Sequence, residues 1–99
     1  MKTSIIIPTF NAAHTLPRAI TSVLLQTKPA HEIIIADDGS TDETRQICTS
    51  LPVRYHCQEN AGVATARNVG LALATGEAVA FLDADDEWMP NYLAATTAA

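Results

Sequence analysis

Four short runs of consecutive apolar residues punctuate the chain, and between them apolar positions recur at intervals of three and four. The first run, residues 3–8 (T-S-I-I-I-P), is β-branched and apolar without alternation, which suits a parallel strand covered on both faces. Thr9-Phe10-Asn11 then reads as a loop. Leu16, Ile20, Val23 and Leu24 predict a helix over residues 14–26, ended by Lys28-Pro29. Pro17 is compatible with it because a first-turn proline loses no intrahelical donor. Residues 32–36 (E-I-I-I-A) form a second buried-strand run that stops at Asp37-Asp38-Gly39. Ser40-Thr41-Asp42-Glu43 has the spacing of a capping box with Ser40 as N-cap. The helix it opens is weak, reaching Leu51 before Pro52 breaks it. Residues 53–58 (V-R-Y-H-C-Q) make a third, more polar strand, expected at or near an edge.

The clearest helix spans residues 60–75 and is closed by Gly76, where a left-handed C-cap is expected. Ala66, Gly70 and Ala74 recur every fourth residue along it, a ridge of small side chains that lets a helix lie close to a sheet. Residues 77–82 (E-A-V-A-F-L) are the fourth strand, followed by Asp83-Ala84-Asp85-Asp86, and a last short helix begins near Pro90. The terminal Ala-Ala-Thr-Thr-Ala-Ala has little to bury and is expected to fray. Strands joined by single helices give right-handed crossovers. The expected fold is therefore α/β, with four mostly parallel strands and helices on both faces, in one domain over residues 1–99. Ligands of such sheets sit beyond the carboxyl ends of the strands, where strand order reverses. Both acidic clusters fall at such ends.

Composition narrows the choices. The chain has 99 residues, 47% hydrophobic against 17% charged, which is a packed globule rather than a disordered tail. Six Lys and Arg against eleven Asp and Glu leave a formal charge of −5, with no basic patch to receive nucleic acid or anionic lipid. The longest apolar runs are about five residues, short of the roughly 20 that span a bilayer. No secretory signal opens the chain, and the two cysteines, Cys48 and Cys57, form no metal or disulfide pattern, so a reduced, cytoplasmic setting is expected.

Asp83, Asp85 and Asp86 repel one another, and a hard divalent cation, Mg²⁺ or Mn²⁺, resolves that repulsion with carboxylate and phosphate oxygens. Asp83 and Asp85 share a face if the chain stays extended. The alternative is a solvated acidic turn that also caps the last helix. Asp37-Asp38-Gly39 reads equally as a turn or as a carboxylate pair placed to accept from a base or ribose. Phe10 is either a stacking wall for a base or a plug for the core, with Asn11 beside it. Arg67 either meets a diphosphate or an aspartate, or stands free at the surface. Trp88 is a lid or a packing anchor, and His14, His31 and His56 show no ligand spacing. No nucleophile triad, P-loop or dinucleotide fingerprint is present.

Four segments together resemble the family-two glycosyltransferases, enzymes of the GT-A fold. They are Ser4-Ile5-Ile6-Ile7-Pro8-Thr9-Phe10-Asn11, Asp37-Asp38-Gly39-Ser40-Thr41-Asp42, Gly62 to Asn68 (G-V-A-T-A-R-N) and Phe81 to Asp86 (F-L-D-A-D-D). The resemblance implies a Rossmann-like GT-A half that binds a nucleotide-diphosphate-sugar, most often a UDP-sugar, through a divalent metal. By the same resemblance Pro8, Thr9, Phe10 and Asn11 line the nucleotide pocket, Asp38 hydrogen-bonds the base, and Arg67 approaches the nucleotide. Asp83 and Ala84 fall within the D-x-D motif at the donor, and Asp85, Asp83 and Asp86 are the candidate metal ligands. The implied sheet order places the first strand between the second and fourth.

Members of that family are normally longer, and their second part supplies the acceptor site and an Asp or Glu base. The expectation is therefore the nucleotide-sugar-binding part of a longer enzyme, inactive alone, with its base beyond residue 99. The implied reaction is displacement at an anomeric carbon by an acceptor hydroxyl with inversion, the acceptor being a carbohydrate or lipid-linked. Membrane association, at the inner face, would come only through regions outside this chain, and an uncovered sheet edge favours homo-oligomers. A sugar-nucleotidyltransferase is the competing enzyme class, but Thr9 to Ala13 lacks the Gly-rich basic loop that holds a triphosphate. A non-catalytic α/β module such as a receiver domain would carry an acidic pair after the first strand and a Lys after the last, and neither is present.

Overall fold

The computed structural model describes residues 1–97 and consists of β1 (Thr3–Thr9), α1 (Leu16–Leu24), β2 (Glu32–Asp37), α2 (Thr44–Thr49), β3 (Arg54–Cys57), α3 (Val63–Leu73), β4 (Ala78–Phe81) and α4 (Tyr92–Thr97). All pairings are parallel and the strand order is β3-β2-β1-β4. The first strand thus lies between the second and the fourth, and the polar β3 is at an edge, both as expected.

Register sets the two faces. Ile5 pairs with Ile33 and Ala80, and Ile7 with Ile35. These side chains pack with Leu16, Ala19, Ile20 and Val23 of α1, Cys48 of α2 and Leu93 of α4. Strand alternation puts Ile6 on the other face, beneath α3. There the small-residue ridge has its use: Ala66 is fully buried, and a Cβ added at Gly70 would overlap Ile6 Cγ2.

Several local expectations change. Ser40 is not an N-cap. The second helix begins at Thr44 without a side-chain cap, and Ser40 Oγ instead donates to Asp37 Oδ1 at 2.6 Å. Gly76 is not a left-handed C-cap, because the helix ends at Leu73 and Ala74 is already extended (φ −64°, ψ 135°). Its lack of a side chain answers a close approach: a Cβ would lie 2.7 Å from Ser4 Oγ and 2.8 Å from the Lys2 carbonyl. The first helix starts two residues later than its apolar spacing suggests. Residues 94–97 continue α4, and residues 98 and 99 of the terminal stretch lie outside the described part.

The amino-terminal end of the sheet is closed by a polar network around Glu32. Its Oε2 accepts from Ser4 Oγ at 2.6 Å and from the Thr75 amide at 2.7 Å, and its Oε1 from Arg54 at 2.8 Å. Burial raises the pKa of this carboxyl, but the hydrogen bonds from Ser4, Thr75 and Arg54 outweigh it and hold the value at about 2.

Candidate functional site

The chain runs from β1 to β2 to β3 on one side and then crosses back to place β4 on the other side of β1. The order therefore reverses between β1 and β4, where a crevice at the carboxyl ends is expected. A cleft of about 450 Å³ lies there. Pro8, Phe10, Asn11, Ala12 and Thr15 from the β1–α1 segment form one wall, Val63 at the start of α3 another, and Asp83, Ala84 and Asp85 the third. Six of the residues expected at a nucleotide-sugar site thus meet: Pro8, Phe10, Asn11, Asp83, Ala84 and Asp85. Phe10 is 52% exposed, so it is no plug for the core and presents its ring to the cleft.

Thr9 is different. It is buried, and its hydroxyl donates to the Ile7 carbonyl at 2.9 Å, so only its backbone borders the loop. Asn11 takes a left-handed conformation (φ 47°) and its Oδ1 accepts from the Thr41 amide at 2.7 Å. It braces the loop as well as lining the cleft.

Asp38, expected to accept from a base, is 5% exposed and does not line the cleft. Its Oδ1 accepts from the Ala61 amide at 2.7 Å and from Gln58 Nε2 at 2.9 Å, and its Oδ2 from the Gly62 amide at 3.1 Å and Asn60 Nδ2 at 3.3 Å. The Ala61 amide foremost, then Gln58, lowers its pKa against the opposing effect of burial, with Gly62 adding to the lowering. This carboxylate fixes the approach to α3, which is why the helix starts at Val63 and not at residue 60. Neighbouring Asp37 is fully buried and accepts from Ser40 and from the Tyr55 hydroxyl. Burial and that bond raise the Tyr55 pKa above its ordinary value.

The acidic segment after β4 is not extended. The Leu82 amide still pairs with Ile6, but the Asp86 amide donates to the Asp83 carbonyl at 3.0 Å and closes a turn. Alternation therefore does not bring Asp83 and Asp85 to one face, although the turn leaves both on the cleft wall and Asp86 outside it. Among the described residues no three His, Cys, Asp or Glu side chains converge on a common point. Arg67 of α3 reaches this turn, with Nη2 3.6 Å from Asp83 Oδ1. Arg18 of α1 donates to the Asp85 carbonyl at 3.4 Å. Trp88 is a packing anchor: its ring stacks on Tyr92 at 4.4 Å and its amide donates to Ser22.

Sequence reasoning missed the brace behind the first wall. The Ala12 amide donates to Thr44 Oγ1 at 3.2 Å and the Ala13 amide to Asp42 Oδ2 at 3.2 Å. The spacing Asp42-Glu43-Thr44 carried the signal, since Asp42 Oδ1 also accepts from the Thr44 amide, a turn that short polar side chains favour at helix starts.

A parallel sheet with helical crossovers, and an aromatic and acidic cleft at its point of reversal, define an α/β domain of the doubly wound class. The chain belongs to glycosyl transferase family 2, whose family model matches residues 4–98. An uncharacterised glycosyltransferase of Nostoc sp. is 50% identical over 94% of this chain and 31% of its own length. The Escherichia coli enzyme WfgD, a UDP-Glc:α-D-GlcNAc-diphosphoundecaprenol β-1,3-glucosyltransferase, is 43% identical over 91% of this chain and 37% of its own. Among solved structures, Staphylococcus aureus TarS (residues 1–349) in complex with UDP superposes with a TM-score of 0.89 at 34% identity, covering 99% of this chain and 31% of that one. Glucosyl-3-phosphoglycerate synthase of Mycobacterium tuberculosis, solved with Mn²⁺, UDP and its product, gives 0.75 at 26% identity over 87% of this chain and 35% of that one. The chain spans about a third of the length of these relatives. No helix among the described residues is long and apolar enough to cross a membrane.

Proposed function

We propose that this chain is the donor-binding part of a glycosyltransferase and that its cleft takes a UDP-sugar. The observation that carries the reading is the pairing of Phe10 and Pro8 with Asp83 and Asp85 across one cleft where strand order reverses. TarS, which has been solved with UDP and with UDP-GlcNAc, supports it. Phe10 and Pro8 supply the flat apolar wall for a base. Asp38 shapes the pocket from behind by fixing Ala61 and Gly62, and so Val63, rather than by meeting the base. Arg67 offsets the charge of Asp83 and presents a guanidinium toward the diphosphate.

The donor set suits a shared metal site. Asp83 and Asp85 offer hard oxygens on one wall, with exposed Asp86 as a further donor. Mg²⁺ and Mn²⁺ are held by one or two carboxylates when phosphate oxygens and waters complete the shell, so a preformed protein cage is not required. A cation held by these carboxylates would supply charge stabilisation for a departing diphosphate. The acceptor hydroxyl attacks the anomeric carbon with inversion. In this reading the acceptor site and general base lie outside this chain, which spans about a third of its relatives' length. The chain alone binds donor without turning it over.

Calorimetric titration of UDP into the 99-residue chain tests this. Binding that needs Mg²⁺ or Mn²⁺ and disappears in EDTA is expected. Equal affinity with and without metal would remove the metal assignment, and no binding in either condition would remove the donor reading.

A further inference from the structure

We propose that Asp42 and Thr44 are positioning residues for the donor cleft, acting through the β1–α1 loop; the inference rests on the donor-binding reading above. The loop's three consecutive amides at Asn11, Ala12 and Ala13 all donate to side chains of the β2–α2 connection and the first residue of α2. Asn11 donates to Ser40 Oγ at 2.8 Å, Ala12 to Thr44 Oγ1 at 3.2 Å and Ala13 to Asp42 Oδ2 at 3.2 Å. In return the Thr41 amide donates to Asn11 Oδ1 at 2.7 Å.

Asp42 and Thr44 form the centre of this brace. Asp42 Oδ1 accepts from both the amide and the hydroxyl of Thr44, and Thr44 is fully buried. The hydroxyl therefore donates its proton to Asp42 and offers its lone pair to Ala12. The Thr44 hydroxyl bond foremost, against burial, lowers the Asp42 pKa, so the acceptor stays ionised at neutral pH. Asn11, tied into the brace, is in the left-handed conformation, which asparagine tolerates better than most residues. On one side of Asn11 is Phe10, and on the other is Ala12; all three face the cleft. A side chain outside the cleft thus decides where the cleft's first wall stands.

Substitution chemistry makes this testable. Three donors converge on the Asp42 carboxylate, so Asp42→Asn turns an NH₂ group against one of them. Thr44→Val keeps the shape of Thr44 but removes both the donor to Asp42 and the acceptor for Ala12. Thr44→Ser keeps both. Two readouts are needed: the Kd for UDP with saturating Mg²⁺, well below the melting temperature, and amide hydrogen exchange at Asn11, Ala12 and Ala13 without ligand.

Asp42→Asn and Thr44→Val are expected to raise the Kd about tenfold and to speed exchange at these amides, with Thr44→Ser within about twofold of wild type. An unchanged Kd in folded Asp42→Asn protein overturns the proposal. If wild type binds no UDP, the donor reading fails and exchange still decides the brace: unchanged protection at Ala12 and Ala13 in either variant overturns it. Should both variants unfold, Ser40→Ala removes one outer tie of the same loop. A raised Kd in that folded protein supports the brace, and an unaltered Kd counts against it.

Discussion

Arg67 Nη2 lies 3.6 Å from Asp83 Oδ1, so the helix on one face of the sheet is tied to the acidic turn that ends β4. Both side chains are about half exposed, 43% and 60%, which makes the pair weak as a source of stability. Its partner is what matters, since Asp83 lines the cleft and the guanidinium offsets part of the negative charge there. On the donor-binding proposal, the same guanidinium would offer a positive partner to a diphosphate.

Arg67→Met should therefore shift unfolding free energy by less than about 1 kcal/mol while weakening UDP binding several-fold. Chemical denaturation and calorimetry on the same sample check both. A large loss of stability with unaltered UDP affinity would make the pair structural instead.

Asp85→Asn should weaken UDP binding in Mg²⁺ by more than about tenfold and leave the melting temperature close to wild type. Asp85 is an exposed side chain on the cleft wall, so the fold does not depend on its charge. Comparable UDP titration curves for variant and wild type would contradict its assignment as a metal ligand.

Stability should fall on acidification in a way that depends on Glu32. Its folded pKa, about 2, is below the ordinary glutamate value of 4.5, so its contribution is fully present above about pH 4.5 and is lost as pH drops toward 2. Glu32→Gln should lower stability at pH 7 by about 1–2 kcal/mol after solvent screening, and the difference from wild type should shrink through that window. Urea midpoints measured from pH 7 to pH 2 give the curve, and a difference independent of pH would refute the linkage.

Gly70→Ala and Gly76→Ala should each destabilise by about 1–3 kcal/mol, the first although alanine is the better helix former. The added methyl meets Ile6 in the first case, and Ser4 and the Lys2 carbonyl in the second. Smaller side chains at the partner positions, Ile6→Val and Ser4→Gly, should recover part of each loss. Thermal unfolding of the single and double variants provides the comparison.

The two thiols should differ sharply. Cys57 is exposed, whereas Cys48 is 3% exposed and its pKa is pushed up to about 11 by burial and by the nearby charge of Asp37. One thiol should react quickly with a disulfide reagent at pH 8, and the second only on unfolding. Two fast thiols in the folded protein would show that the α2 side of the core opens readily.

Apolar runs without alternation at residues 5–8 and 33–36 already identified central parallel strands, because strands covered on both faces read as near-continuous apolar runs. Gly70 and Ala66 likewise announced a helix lying close to its sheet. Capping was less legible. Ser40 fits an N-cap by spacing, yet Asp37, fully buried three residues earlier, has the stronger need for a donor and takes its hydroxyl. Gly76 reads as a C-cap for the same local reason, while the constraint on it comes from Lys2 and Ser4, more than seventy residues away in the chain.

The cleft divides in the same way. Local patterning alone located the acidic residues at strand ends and the aromatic residue beside them, since both follow from where apolar runs stop. Which carboxylates line the cleft was decided only by tertiary packing. Asp38 and Asp85 look alike in sequence, but the amides of Ala61 and Gly62 arrive beside the first, and among the described residues no buried donor arrives beside the second. A buried carboxylate must be matched by whatever donors fold against it, and those donors come from elements that sequence spacing does not bring together.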